Sequence, residues 1–164
     1  MILEVDSAAN YICFLIEEKN NQLSEKVQRD FRLYLGDSIA LAFSNHWHSS
    51  HPSWGASQRC IRINSDNNDV LIKRAESRAG LQEGTVNRMI QDQVTLWVNP
   101  GEVLVKHCEL GQYITIFHKE YNARQPWTPQ KKNKEERTRH HPMDYFSTDK
   151  FASVEELVAY YVSH

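Results

Sequence analysis

The stretch from Val94 to Val105 limits what this chain can fold into more than any other. Val94, Leu96 and Val98 alternate with Thr95 and Trp97, Asn99-Pro100-Gly101-Glu102 interrupts, and Val103 and Val105 alternate with Leu104 and Lys106. A period of two marks strands with one buried face. Pro suits the turn position that wants φ of about −65°, and Gly suits the next, where φ is positive. A two-residue turn at Pro100-Gly101 sets Val98 opposite Val103, Trp97 opposite Leu104 and Leu96 opposite Val105. Val94, Leu96, Val98, Val103 and Val105 then share one face, while Trp97 and Leu104 share the other. A second turn at Glu109-Leu110-Gly111 leads into Tyr113-Ile114-Thr115-Ile116-Phe117, completing a three-stranded antiparallel meander.

Upstream the period becomes helical. Val5, Ala9, Ile12 and Ile16 recur at that spacing up to Glu18. Ser24 reads as an N-cap, with Glu25 in the first turn of a second helix that runs along Val27, Phe31, Leu35, Ile39 and Ala42 to about Ser44. Gly36 weakens it by about 1 kcal/mol relative to Ala. A short polar link between two amphipathic helices predicts an antiparallel pair. Asn45 to Ser57 is irregular, punctuated by Pro52 and Gly55. Arg59–Ile63 reads as a short strand, residues 64–69 as a turn, Val70–Ala79 as a helix closed by Gly80, and Gly84–Ile90 as a further short helical segment. The class predicted is α+β: an N-terminal antiparallel helix pair and further short helices packed on a small antiparallel β-sheet.

Beyond Tyr121 the periodicity stops. Gln125-Pro126-Trp127-Thr128-Pro129 and the run from Lys131 to His141 read as an extended connector that contributes little buried area. Ser153-Val154-Glu155-Glu156 is a capping box ahead of Leu157, Tyr160 and Tyr161, so a short terminal helix is expected. The chain divides into a folded domain over residues 1–120 and a basic, mostly irregular extension over 121–164. Charge follows that division: the net charge is −2, yet Lys119–His141 holds seven Lys/Arg against three acids. With 164 residues and 40% of them apolar, one packed core is expected. No stretch is apolar and long enough for a bilayer, and Met1–Asp6 carries two acids and no base, the wrong start for a secretory signal. Neither membrane insertion nor export is expected. Cys13, Cys60 and Cys108 are widely spaced and none lies in a CxxC, which fits a reducing compartment and excludes zinc held by paired thiolates.

Few motifs carry chemistry. His46-Trp47-His48-Ser49-Ser50-His51 offers three imidazoles, but no regular element fixes them and no acid or Cys lies close, so a solvated loop is the better reading. His140-His141 is no more informative, and no metal or cofactor is expected. No P-loop, GxSxG, GxGxxG or pair of catalytic acids occurs, so no catalytic residue is assigned and no enzymatic activity is expected. Lys131, Lys132, Lys134, Arg137 and Arg139 could meet RNA phosphates, diluted by Glu135 and Glu136. Trp97 is the informative residue. It either packs beneath one of the chain's own helices or stands on the surface as an anchor, since Trp is enriched at binding hot spots.

Two stretches carry a family signature. His46-Trp47…Pro52…Gly55…Arg59-Cys-Ile-Arg-Ile-Asn64 resembles the first homology box of the BTG/Tob antiproliferative family, and Val94-Thr-Leu-Trp-Val-Asn-Pro-Gly-Glu-Val103 resembles the second. The resemblance covers about Met1 to Phe117. It implies a BTG-type domain and a non-catalytic adaptor that binds the DEDD-type catalytic deadenylase of the main poly(A)-shortening complex. It further implies delivery of that enzyme to mRNAs or RNA-binding proteins, transcriptional co-regulation, restraint of proliferation or effects on differentiation, and action in cytoplasm and nucleus. The implied partner surface centres on Trp97, with Asn99, Gln58, Leu104, Glu102 and Trp47 as further candidates.

The departures from the family pattern fall on that surface. Asn99 stands where the family has an acid, and an amide cannot form a charged pair. Gln58 replaces an aromatic ring, His48-Ser-Ser-His51 replaces an aromatic-Pro-acid-basic run, and Leu104 stands where a small polar residue is usual. Two readings follow: an adaptor with weakened deadenylase binding, or a self-associating RNA-binding scaffold of the same fold, a homo-oligomer that uses the Trp97–Leu104 patch for another contact.

Overall fold

Helix α1 (Ile2–Glu18) is buried on almost every side, and the rest of the chain is arranged around it. The computed structural model, which describes residues 1–19, 23–64, 69–108, 110–121 and 125–129, sets α1 against α2 (Glu25–Phe43) and against an antiparallel sheet. Val5, Ala9, Ile12 and Ile16 are buried as their spacing predicts, and Tyr11, Cys13 and Leu15 are buried as well. Ser24 caps α2, its Oγ accepting from the Val27 N–H at 3.4 Å. Phe31, Leu35 and Ile39 carry α2 into the core. Among the described residues, no helix is long and apolar enough to cross a membrane.

Helix α3 (Val70–Arg78) packs on α2 and starts at Asp69, whose carboxylate accepts from the Leu71 N–H at 2.9 Å. Gly80 follows it with φ +73°, the left-handed residue expected after its last turn. Helix α4 (Thr85–Ile90) is only six residues long, and buried Glu76 holds its start by accepting from Gly84 N–H at 3.0 Å and Val86 N–H at 2.7 Å. Those donors would otherwise be orphaned at the helix N-terminus.

The sheet contains β1 (Cys60–Ile63), β2 (Val94–Asn99), β3 (Glu102–His107) and β4 (Tyr113–His118) in the spatial order β1-β2-β3-β4, all antiparallel. Val98 pairs with Val103, Trp97 with Leu104 and Leu96 with Val105, the register that the Pro100-Gly101 turn predicts. The sheet is larger than the expected three-stranded meander, because β1 joins it with Cys60 opposite Trp97 and Ile61 opposite Leu96. Ile61 and Ile63 thereby extend the aliphatic face that lies on α1. An irregularity opposite Val103/Leu104 breaks the alternation of β4, and Ile114, Ile116 and Phe117 are all buried.

Packing continues beyond residue 120. Trp127 lies against α1, its N–H donating to Ser7 Oγ at 2.7 Å and its carbonyl accepting from Asn10 Nδ2 at 2.8 Å. The extended segment that was expected to contribute little is therefore anchored at one residue. A single Trp between prolines has no period, so sequence pattern gives no sign of it. Lys131, Lys132, Lys134, Arg137, Arg139, the His140-His141 pair and the expected helix after Ser153 lie outside the described residues.

Candidate partner-binding face

The two faces of the sheet differ sharply. Ile61, Val94, Leu96, Val98, Val103 and Val105 are buried on the α1 side. The ladder puts Arg62, Thr95, Lys106 and Tyr113 in one row of the opposite face, and Cys60, Trp97, Leu104 and Thr115 in the next. Arg62 and Thr115 are exposed, and Cys60, Thr95, Trp97, Lys106 and Tyr113 are half-buried, so this face meets solvent. The Trp97 ring lies 5.2 Å from that of Tyr113 at an interplanar angle of 51°, and Lys106 Nζ stands 5.4 Å from the Tyr113 ring centre. An aromatic pair flanked by a cation is a rigid, amphipathic surface.

Two expected contact residues on this side of the ladder turn out to be buried. Leu104 is only 3% exposed, directly between Trp97 and Thr115 in the ladder, so it is covered rather than part of an exposed patch. Asn99 is 2% exposed, and its Oδ1 accepts from Arg59 Nη2 at 3.0 Å. Arg59 is wholly buried: Nε donates to the Val98 carbonyl at 3.1 Å, Nη1 to the Trp54 carbonyl at 2.6 Å and to that of His46, and Nη2 also to Pro52. The planar fork of five donors gathers the irregular loop onto the end of β2. Gly55 permits this closure. It has φ +69°, and a Cβ there would stand 3.1 Å from the His46 carbonyl and 3.2 Å from Arg59 Nη1.

Trp47 is half-buried, packed on the core with the Arg59 guanidinium 5.8 Å from its ring centre. Gln58 is exposed at the end of a one-turn 3-10 helix, Ala56–Gln58, which leads directly into the sheet edge at β1. Glu102 is half-buried at the start of β3, opposite Asn99 and His118. Of the six candidates, Gln58 is exposed, Trp97, Glu102 and Trp47 are half-buried, and Asn99 and Leu104 are buried. Sequence reasoning missed Tyr113, although its alternation with Ile114 already places it with Thr115 on the Trp97 face.

Trp54 was missed as well. It is 56% exposed, with its ring stacked on His51 at 4.3 Å and edge-on to His48 at 5.9 Å. The loop histidines thus engage an indole, and among the described residues no group of three His, Cys, Asp or Glu could hold a metal ion. Burial pushes the Cys60 thiol up, against a smaller opposing pull from Arg62. A protonated thiol is a poor nucleophile, so Cys60 contributes packing to this face.

Comparisons with known proteins bear on the same region. The family model described as "BTG family" matches residues 1–117. Protein BTG2 of Rattus norvegicus is 29% identical over 117 residues, 71% of this chain and 73% of that protein. Protein BTG1 of Homo sapiens is 32% identical over 117 residues, 71% of this chain and 67% of that protein. Among solved structures, the BTG/Tob domain of C. elegans FOG-3 aligns with a TM-score of 0.63 at 23% identity, covering 80% of this chain and 92% of that one, a likeness of fold.

Proposed function

The chain belongs to the BTG family, and from that premise we propose that the Trp97 face of its sheet docks the catalytic deadenylase of the main poly(A)-shortening complex. Members of this family are non-catalytic, antiproliferative regulators, so the chain acts as an adaptor. It brings the enzyme to mRNAs or their bound proteins, in cytoplasm and nucleus, and regulates mRNA turnover without a cofactor of its own.

The observation that carries the reading is the setting of Trp97. The indole is half-buried, with Leu104 opposite it on the neighbouring strand and the Tyr113 ring beside it, on the sheet face away from α1. A ring already held in place loses little conformational freedom on binding, which is how aromatic anchors come to dominate interface energies. Gln58 at the edge of this face supplies hydrogen-bonding groups where the family pattern has a ring.

Co-purification from cell extract tests the reading with tagged full-length chain and a Trp97→Ala variant. The deadenylase should accompany the first and be lost from the second. Equal recovery with both would contradict it. Salt-sensitive RNA complexes of oligomers, free of deadenylase, would favour the scaffold reading instead.

A further inference from the structure

We propose that the face of α1 formed by Ser7, Asn10, Tyr11 and Phe14 is a binding site for an extended, proline-flanked tryptophan segment, which the chain fills with its own Trp127. Positions 7, 10, 11 and 14 follow the i, i+3, i+4, i+7 spacing of a single helical face. Two of the four present polar groups and two present rings. The Trp127 ring meets Tyr11 edge-on at 5.2 Å and Phe14 at 5.5 Å. Its N–H and carbonyl are both taken up, by Ser7 Oγ at 2.7 Å and Asn10 Nδ2 at 2.8 Å. The site therefore recognises the peptide groups of one extended residue as well as its side chain.

Ser7, Asn10 and Tyr11 are each oriented by a contact that does not involve Trp127. Ser7 Oγ gives its only proton to the Leu3 carbonyl at 2.6 Å, so towards Trp127 it can only accept. Asn10 Oδ1 accepts from Arg32 Nη1 at 3.4 Å, which turns Nδ2 towards the Trp127 carbonyl. The Tyr11 hydroxyl and His107 Nε2 share a hydrogen bond of 2.8 Å that fixes that ring. A site organised in advance needs no rearrangement to accept its occupant.

The occupant matches the site. Gln125, Thr128 and Pro129 are exposed while Pro126 and Trp127 are half-buried, and Trp127 makes the hydrogen bonds and ring contacts to α1. Pro126 and Pro129 hold the flanks near the extended conformation and bring no N–H that would be left unpaired. Proline-restricted segments settling against aromatic side chains are a recurrent mode of peptide recognition. Held by so small a contact, the segment stays docked because its tether keeps the effective concentration in the millimolar range.

A fluorescein-labelled peptide with the sequence of residues 123–131 tests this against the full-length chain by anisotropy. It should bind one-to-one to a Trp127→Ala variant at least tenfold tighter than to the unaltered chain, whose own segment occupies the site. The same peptide with Ala in place of Trp should not bind. Trp127→Phe, which keeps a ring in the socket and so protects the fold, should give intermediate binding, weakened again by Asn10→Ala. Binding to Trp127→Phe no tighter than to the unaltered chain, or binding that ignores the tryptophan of the peptide, would overturn the proposal.

Discussion

A guanidinium withdrawn from water is costly unless its donors find acceptors. At Arg59 those acceptors include the carbonyls of His46, Pro52, Trp54 and Val98 and the amide oxygen of Asn99. Arg59→Lys keeps a charge but loses the fork, and should cost about 3 kcal/mol or more in urea unfolding. Asn99→Ala removes one acceptor and should cost about 1–3 kcal/mol. Stability unchanged in both variants would contradict the inward role given to Asn99. The alternation of β2 correctly puts Asn99 on the Trp97 side of the ladder, but nothing local to it reveals an arginine 40 positions away turned into the protein. Arg is mostly a surface residue, so a buried one is invisible to pattern. The cysteines offer a second check at this scale. Burial pushes the Cys13 thiol up to about 12 and raises that of Cys60, while Cys108 is exposed. Since the thiolate is the reactive form, iodoacetamide at pH 8 should label Cys108 first, Cys60 slowly and Cys13 only on unfolding, in that order by mass spectrometry.

Among the elements, the β2–β3 hairpin was fully legible because everything that specifies it is local: alternation, Pro100, and Gly101 with φ +87°. The helix starts at Ser24 and Asp69 show the same locality through their caps. The attachment of β1 to β2 was not legible, since pairing across some 30 residues of intervening chain depends on the shared core and not on either segment alone. Helix α1 shows a different limit. One stripe of small and aliphatic residues marks the side that meets the sheet and α2, but a second stripe, which mixes Ser7 and Asn10 with Tyr11 and Phe14, does not look apolar and is covered all the same. Its cover is Trp127. Trp127→Ala should therefore destabilise the full-length chain by about 2 kcal/mol, less than a fully buried Trp would cost. Chemical denaturation with an unchanged midpoint would show that the segment adds nothing to the fold.

For the molecule as a whole, a single helix covered on almost every side ties the sheet, α2 and the segment around Trp127 into one unit, and its buried titratable groups set a pH limit. Burial raises the folded-state values of both Tyr11 and Cys13. The unfolded thiol ionises at about 9, well below its folded value of about 12. The neutral forms are thus favoured by folding, and their contribution is complete below pH 9 and lost as pH rises through that window. Thermal stability should be level from pH 7 to about 8.5 and decline above about 9, with part of the decline removed by Cys13→Ala; a flat profile to pH 11 would contradict the burial of these groups. The sheet leaves one face to solvent with Trp97 on it, and this is the face proposed to dock the deadenylase. Titration of the purified deadenylase catalytic subunit with full-length chain and with Trp97→Ala, each paired with a thermal melt, tests it most directly. Trp97→Ala should weaken binding by about 30-fold or more, equivalent to about 2 kcal/mol, while stability falls by less than about 1.5 kcal/mol. Equal affinity for both chains, or a loss of binding that appears only because the Trp97→Ala variant unfolds, would contradict it.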